Sequence, residues 1–199
     1  VRIRYVDEGD GPTVVLLHGY ASSLETWDAV RPELRAGGFR VIALDLMGFG
    51  WTDRPERDYS PRAQAALVLA FLDALGVRDF SLVAHSWGSA VALALALEAP
   101  HRAQRLALYD AWAYEAQLPT FFQWARVDGL GELLFAMFYR ERVDERLAMA
   151  FFDKSVLSEA LIEKVELAME RPVTLAAGLA VVRGQRFEAV ERDYGKVQQ

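Results

Sequence analysis

Apolar and polar positions change period at regular intervals along the chain. Residues 1–6 read V-R-I-R-Y-V, the period of two expected of a half-exposed strand, and residues 8–12 supply a turn. Residues 13–17 are mostly apolar and run into His18-Gly19-Tyr20, which predicts a buried parallel strand ending in a loop. Leu24, Trp27, Val30 and Leu34 follow at helical spacing, with Ser22 or Ser23 available as a cap and Gly37-Gly38 as a stop. A further buried strand is expected over 40–44, opening into the glycine-punctuated loop 45–55. Ser60-Pro61 starts a helix with Leu67, Phe71 and Leu75 on one face. A strand from Phe80 then turns sharply at Ser86 into an apolar helix over 90–99, and a short strand over 106–109 ends at Asp110.

Strands alternating with helices in this way imply a doubly wound, mostly parallel α/β sheet with helices on both faces. Sites in such sheets form at the carboxyl ends of the strands, where His18, Asp45, Ser86 and Asp110 all fall. From residue 111 the strand pattern stops. Amphipathic helices are expected over 118–127, 130–141, 143–152, 158–170 and 172–190, and no strand. The chain therefore divides into a core over 1–110, an all-helical cap over 111–193 and a short tail over 194–199. Aromatic residues crowd the first half of the cap, Phe121, Phe122, Trp124, Phe135, Phe138 and Tyr139 among them. Most such rings pack helix against helix; some are expected to line an apolar substrate pocket.

Composition narrows the function classes. The 199 residues are 53% hydrophobic and 25% charged, which suits a packed globular chain. The net charge of -6, with basic residues scattered, leaves no footprint for nucleic acid or an anionic membrane. There is no cysteine, and the three histidines have no metal-ligand spacing. No cofactor is expected either, since Gly48-x-Gly50 lacks the third glycine and the following helix of a dinucleotide fingerprint. The longest apolar run, 90–97, is too short to span a bilayer and no leader pattern opens the chain, which reads as cytoplasmic. The first residue is Val, so the start reads as trimmed or internal. The expected partner is a small-molecule substrate; nothing in the sequence assigns an oligomeric state.

The chemistry concentrates in F-S-L-V-A-H-S-W-G-S-A, residues 80–90. A serine hydroxyl becomes a useful nucleophile only when it is lifted clear, offered to a base and placed beside N–H groups that stabilise an oxyanion. A strand-to-helix elbow does this, with small residues required two positions either side; here they are Ala84 and Gly88, so the match is to small-x-Ser-x-small rather than strict G-x-S-x-G. The N–H of Trp87 would begin the helix, with the positive end of its dipole behind the oxyanion site. A serine at such a junction also serves elsewhere as a plain N-cap. The arrival of separate motifs on one rim favours the nucleophile.

Taken in order, Leu17-His18-Gly19-Tyr20, the loop Asp45-Leu46-Met47-Gly48-Phe49-Gly50-Trp51-Thr52-Asp53 and Ala84-His85-Ser86-Trp87-Gly88 resemble the N-terminal two thirds of an α/β-hydrolase fold protein. The branch they resemble is serine esterase-like, with a helical cap after the sixth strand. The resemblance implies that Ser86 is the nucleophile and that the backbone N–H groups of Tyr20 and Trp87 form the oxyanion hole, with His18-Gly19 shaping that loop. Serine at this place argues against haloalkane dehalogenases and epoxide hydrolases, whose nucleophile is Asp. In the family the acid follows the seventh strand and a histidine base the eighth. This chain ends at Gln199, in what reads as the run-in to a seventh strand, so the core is expected to be incomplete at the C-terminus. His85 is expected to face sideways, His18 belongs to the oxyanion loop, and His101 lies a helix of about 18 Å away. Asp110 is either the acid that some relatives place after the sixth strand or a cap for the next segment; Asp45 organises its loop. The expected function is a serine hydrolase acting through an acyl-enzyme on an ester, thioester or other activated carbonyl of a small apolar substrate. It is present here as a fragment lacking the catalytic histidine and inactive alone. The alternatives are a non-catalytic ligand-binding protein of hydrolase descent and a cofactor-free perhydrolase or haloperoxidase.

Overall fold

Five runs of β-forming residues pair into one sheet in a computed structural model, which describes residues 1–138, 144–145, 148, 153–154 and 157–198. The strands are β1 (Tyr5–Glu8), β2 (Thr13–Leu17), β3 (Arg40–Leu44), β4 (Phe80–His85) and β5 (Ala103–Tyr109), in the order β1-β3-β2-β4-β5. Only β1 is antiparallel. The parallel register sets Leu17 beside both Leu44 and Ala84, and His85 beside Tyr109. Four strands thus end on one line, and the residues after them share one rim.

The side-chain alternation of β2 and β3 feeds two cores. Val15, Leu17, Ile42 and Leu44 face α2 (Pro61–Ala74) and α3 (Gly88–Glu98), while Val14, Leu16, Val41 and Ala43 pack on Leu24 and Trp27. Each side chain so buried contributes about 1.5–3 kcal/mol, and both faces of these strands do so, which is why they read as unbroken apolar runs. Ser60 caps α2 through its hydroxyl, with Pro61 in the first helical position.

Several boundaries differ from expectation. The first strand lies at Tyr5–Glu8 rather than 1–6 because Arg2 and Arg4 pair with a loop instead: their N–H groups donate to Asp53 Oδ2 (2.8 Å) and Thr52 Oγ1 (2.9 Å). Ser23 takes the expected N-cap position, but its hydroxyl makes no capping bond. Ser23 donates to Glu25 Oε2 (2.6 Å) and the N–H of Leu24 goes to Asp45 Oδ1 (2.7 Å), so the segment folds as a 3₁₀ turn (Leu24–Trp27) before α1 (Val30–Ala36). Strand β5 begins three residues earlier than expected, at Ala103.

Every regular element among the described residues after Asp110 is helical. They are α4 (Thr120–Ala125), α5 (Leu130–Phe138), α6 (Glu159–Glu170), α7 (Thr174–Gly184) and α8 (Glu188–Glu191), with single 3₁₀ turns at Glu115–Gln117 and Tyr194–Lys196. The helix expected over 143–152 lies mostly outside the described residues. The one expected over 172–190 is two helices. Its start is delayed by Val173, held at φ 58°, and Gln185 leaves helical geometry just beyond Gly184, which abuts the backbone of Tyr59 and Ser60 too closely for a side chain. Ala125, Phe135, Leu179 and Val182 form a small separate core, while Ala177, Val181 and Phe187 join the main one. Among the described residues no helix is long and apolar enough to cross a membrane.

Val173 is a β-branched residue in the left-handed region, a conformation costing about 1–2 kcal/mol, and it is 60% exposed. Val173→Asn should therefore stabilise the chain by about 0.5–1 kcal/mol, read as a higher urea midpoint at unchanged slope. An unchanged or lower midpoint would show that no strain is stored there.

Candidate active site

Strand β4 reaches the rim and turns within one residue. Ser86 has φ 51°, a left-handed backbone that a non-glycine residue adopts only under constraint. The constraint is visible on both sides. The Ser86 N–H donates to Tyr109 O (3.0 Å), and its carbonyl accepts from the N–H groups of Ser89 (2.9 Å) and Trp112 (3.1 Å). Ala84 is fully buried, and a methyl group on Gly88 would stand 2.5 Å from His18 O and 2.7 Å from Leu17 O. The small residue at position 88 is therefore imposed by the backbone at the end of β2. Ser86 itself is half-buried, and its hydroxyl takes no hydrogen bond among the described residues.

The loop after β2 runs directly against this elbow. A methyl group on Gly19 would lie 3.0 Å from Ser86 Cβ and 3.3 Å from His85 Nδ1, so the loop after β2 borders the serine closely. The Trp87 N–H, at the helix start, has no intramolecular partner among the described residues, while its ring is fully buried 5.6 Å from that of Phe49.

Two buried polar side chains hold the rim loops. His18 donates from Nδ1 to Gly19 O (2.7 Å) and accepts at Nε2 from Leu46 N–H (3.0 Å), so both ring nitrogens are used. Burial holds its pKa below the ordinary histidine value, which keeps the ring neutral and suits this one-donor, one-acceptor arrangement. Asp45 accepts from Leu24 N–H (2.7 Å) and Trp51 N–H (2.7 Å), faces Arg4 (3.3 Å), and its carbonyl accepts from the Thr52 hydroxyl (2.7 Å). Arg4 also pairs with Glu25. Although burial opposes ionisation of Glu25, the hydrogen bonds from Arg4 and Ser23 prevail and bring its pKa from 4.5 down to about 2.

Aromatic rings close the space above. The Tyr20 ring lies 5.5 Å from Phe49 and 5.0 Å from Phe122, and its hydroxyl donates to Gly178 O in α7 (3.2 Å). Trp112 stacks on Phe122 (5.5 Å, 13° between planes) and lies 6.2 Å from Phe187. Trp112, Phe187 and Gly178 escaped the sequence reading. Their contacts join residues far apart in the chain, and no local period marks them.

Of the other titratable groups at the rim, His85 is half-buried, and desolvation lowers its pKa against the opposing charge of Asp110. Asp110 is exposed, with φ 47°. His101 is exposed beyond the far end of α3. None of the three histidines bonds the Ser86 hydroxyl among the described residues.

The family model for the alpha/beta hydrolase fold matches residues 12–148, more than half of the chain. A haloalkane dehalogenase from Mycolicibacterium paratuberculosis (strain ATCC BAA-968 / K-10) is 37% identical over 131 residues, 62% of this chain and 44% of that protein. One from Mesorhizobium japonicum (strain LMG 29417 / CECT 9101 / MAFF 303099) is 39% identical over 140 residues, 65% and 45% of the two. The matched part thus spans less than half of these relatives' length. Among solved structures, Cfl2 from Burkholderia cenocepacia superposes with a TM-score of 0.83 at 32% identity, over 98% of this chain and 69% of its own. The epoxide hydrolase CorEH superposes with 0.82 at 25% identity, over 97% and 73%.

Two outcomes are expected of this geometry. Gly88→Ala should cost about 1–3 kcal/mol in urea unfolding, because the new methyl meets backbone oxygens that cannot turn away. Gly195→Ala, where a methyl meets nothing within 4 Å, should not. In acid, Glu25 contributes stability that is complete above its ordinary value of 4.5 and is lost as pH falls toward about 2. Glu25→Gln should flatten the stability profile across that window, and an unchanged profile would remove the ion pair from the account.

Proposed function

The chain belongs to the α/β-hydrolase fold family, and we propose that Ser86 is the nucleophile of a serine hydrolase acting on an ester, thioester or other activated carbonyl of a small, apolar substrate. The observation that carries this reading is the left-handed backbone at Ser86, which holds an unbonded hydroxyl close to the loop after β2, at the start of α3. Strain of this kind at a polar residue has no structural gain here and is a recurrent feature of functional sites.

In the proposed reaction the Ser86 oxygen adds to the carbonyl carbon while its proton passes to a general base. The oxyanion is held by the N–H groups of Tyr20 and Trp87, the leaving group departs, and water releases the acyl group by the same steps in reverse order. The helices of residues 111–193 act as a cap whose rings exclude water. The base is none of the three histidines, since His18 spends both nitrogens on backbone, His101 is remote and His85 makes no bond to the hydroxyl. In the family the chain resembles, the base is a histidine that follows the eighth strand.

The names of the sequence relatives support a second reading, dehalogenation. Chemistry separates the two. Displacement of halide by a carboxylate leaves an ester, which water can hydrolyse at its carbonyl; displacement by a serine oxygen leaves an ether, which offers water no carbonyl and does not turn over. Ser86 therefore favours acyl transfer.

With imidazole added to supply the base in solution, a fluorophosphonate should modify Ser86 and nothing in Ser86→Ala, as mapped by peptide mass. The same imidazole should raise the hydrolysis of p-nitrophenyl acetate by the unmodified chain. Halide released catalytically from 1-bromobutane, with no labelling at Ser86, would overturn the reading. Absence of both reactions with retained ligand binding would point to the non-catalytic receptor instead.

A further inference from the structure

Trp112 is fixed to the elbow by its own backbone, whose N–H donates to Ser86 O (3.1 Å). Its ring is clamped by Phe122, stacked at 5.5 Å, and by Phe187 at 6.2 Å, and Phe122 in turn lies 5.0 Å from the ring of Tyr20. The ring thereby joins, through Phe122, the aromatic wall that includes Tyr20. Its indole nitrogen is buried and has no hydrogen-bond partner among the described residues. A buried N–H left without an acceptor costs on the order of 1–3 kcal/mol, and phenylalanine would fill the same stack without that cost.

We infer that the Trp112 indole N–H is a substrate-recognition donor: the substrate carries a hydrogen-bond acceptor, an ether or carbonyl oxygen, a few bonds from the carbonyl that Ser86 attacks. The inference rests on the proposed nucleophile and adds a requirement to it. A buried donor that only a ligand's acceptor can answer selects against a purely hydrocarbon acyl chain of the same shape, because that chain would leave the donor unpaired. Trp27 and Trp87 provide internal comparisons. Their indole nitrogens are also buried without a partner, yet Trp27 packs in the core on the opposite face of the sheet and the Trp87 ring is enclosed in the main core against Phe49, whereas Trp112 is only half-buried.

The test uses the Ser86→Ala chain, so that binding is read without chemistry, and two ligands of one shape, phenyl methoxyacetate and phenyl butyrate, which differ by an oxygen in place of a methylene. The methoxyacetate should bind about tenfold more tightly by titration calorimetry, the worth of one buried hydrogen bond, and Trp112→Phe should erase the preference. In the nitrogen–proton spectrum of the chain with Trp112 intact, the assigned Trp112 indole resonance should move downfield with the methoxyacetate and much less with the butyrate, while that of Trp27 stays in place. Equal affinities, a preference that survives Trp112→Phe, equal shifts with both ligands, or no binding of either would overturn the inference. Loss of Ser86 labelling with the preference intact would instead remove the nucleophile and leave the donor standing.

Discussion

A left-handed backbone at a non-glycine residue costs about 1–2 kcal/mol, and the rest of the rim is arranged to hold Ser86 in it. The strain is locked by three hydrogen bonds from three directions: to Tyr109 at the end of β5, from Ser89 in α3 and from Trp112 beyond the sheet. Gly88 and Gly19 let the backbones of β2 and its loop come close enough to complete the enclosure. Remove the parallel register of β2, β4 and β5 and none of these partners is in place.

Around that turn, charge and polarity are placed inside the protein only where they are answered. His18 and Asp45 are both fully buried, and each bonds backbone N–H groups from other segments. An unanswered polar group at such sites would cost several kcal/mol, so these residues act as struts between loops with little freedom of their own. This is why a histidine beside a candidate nucleophile takes no part in proton transfer: its ring is neutral and its lone pair is already committed. The relatives named haloalkane dehalogenase and this chain match over less than half of those proteins' length.

The aromatic seam from Phe49 through Tyr20, Phe122 and Trp112 to Phe187 ties the sheet rim to the helices of 111–193. The indole nitrogen of Trp112 is buried within it without a hydrogen-bond partner among the described residues. Arg54 and Arg171 fasten the loop 45–55 to the end of α6. Both donate to Gly50 O, at 2.8 and 2.9 Å, and Arg54 reaches Ala168 O as well (3.2 Å).

Sequence alone determined the strands β2, β3 and β4, the start of α2 at Ser60-Pro61, the α/β class and the place of Ser86 at an elbow, because each rests on a local period, a cap or a turn requirement. The rim containing His18, Asp45, Ser86 and Asp110 followed from the rule that parallel strands end together. The long helix over 172–190, the capping bond expected at Ser22 or Ser23 and the first strand were misjudged where tertiary partners outbid local preference: the backbone of Tyr59 and Ser60 at Gly184, Asp45 at Leu24, and the loop 52–53 at Arg2 and Arg4. Only the tertiary structure could place Gly178 on Tyr20 or Trp112 between Phe122 and Phe187. Those contacts bring together residues separated by up to 158 positions, and no local pattern encodes them.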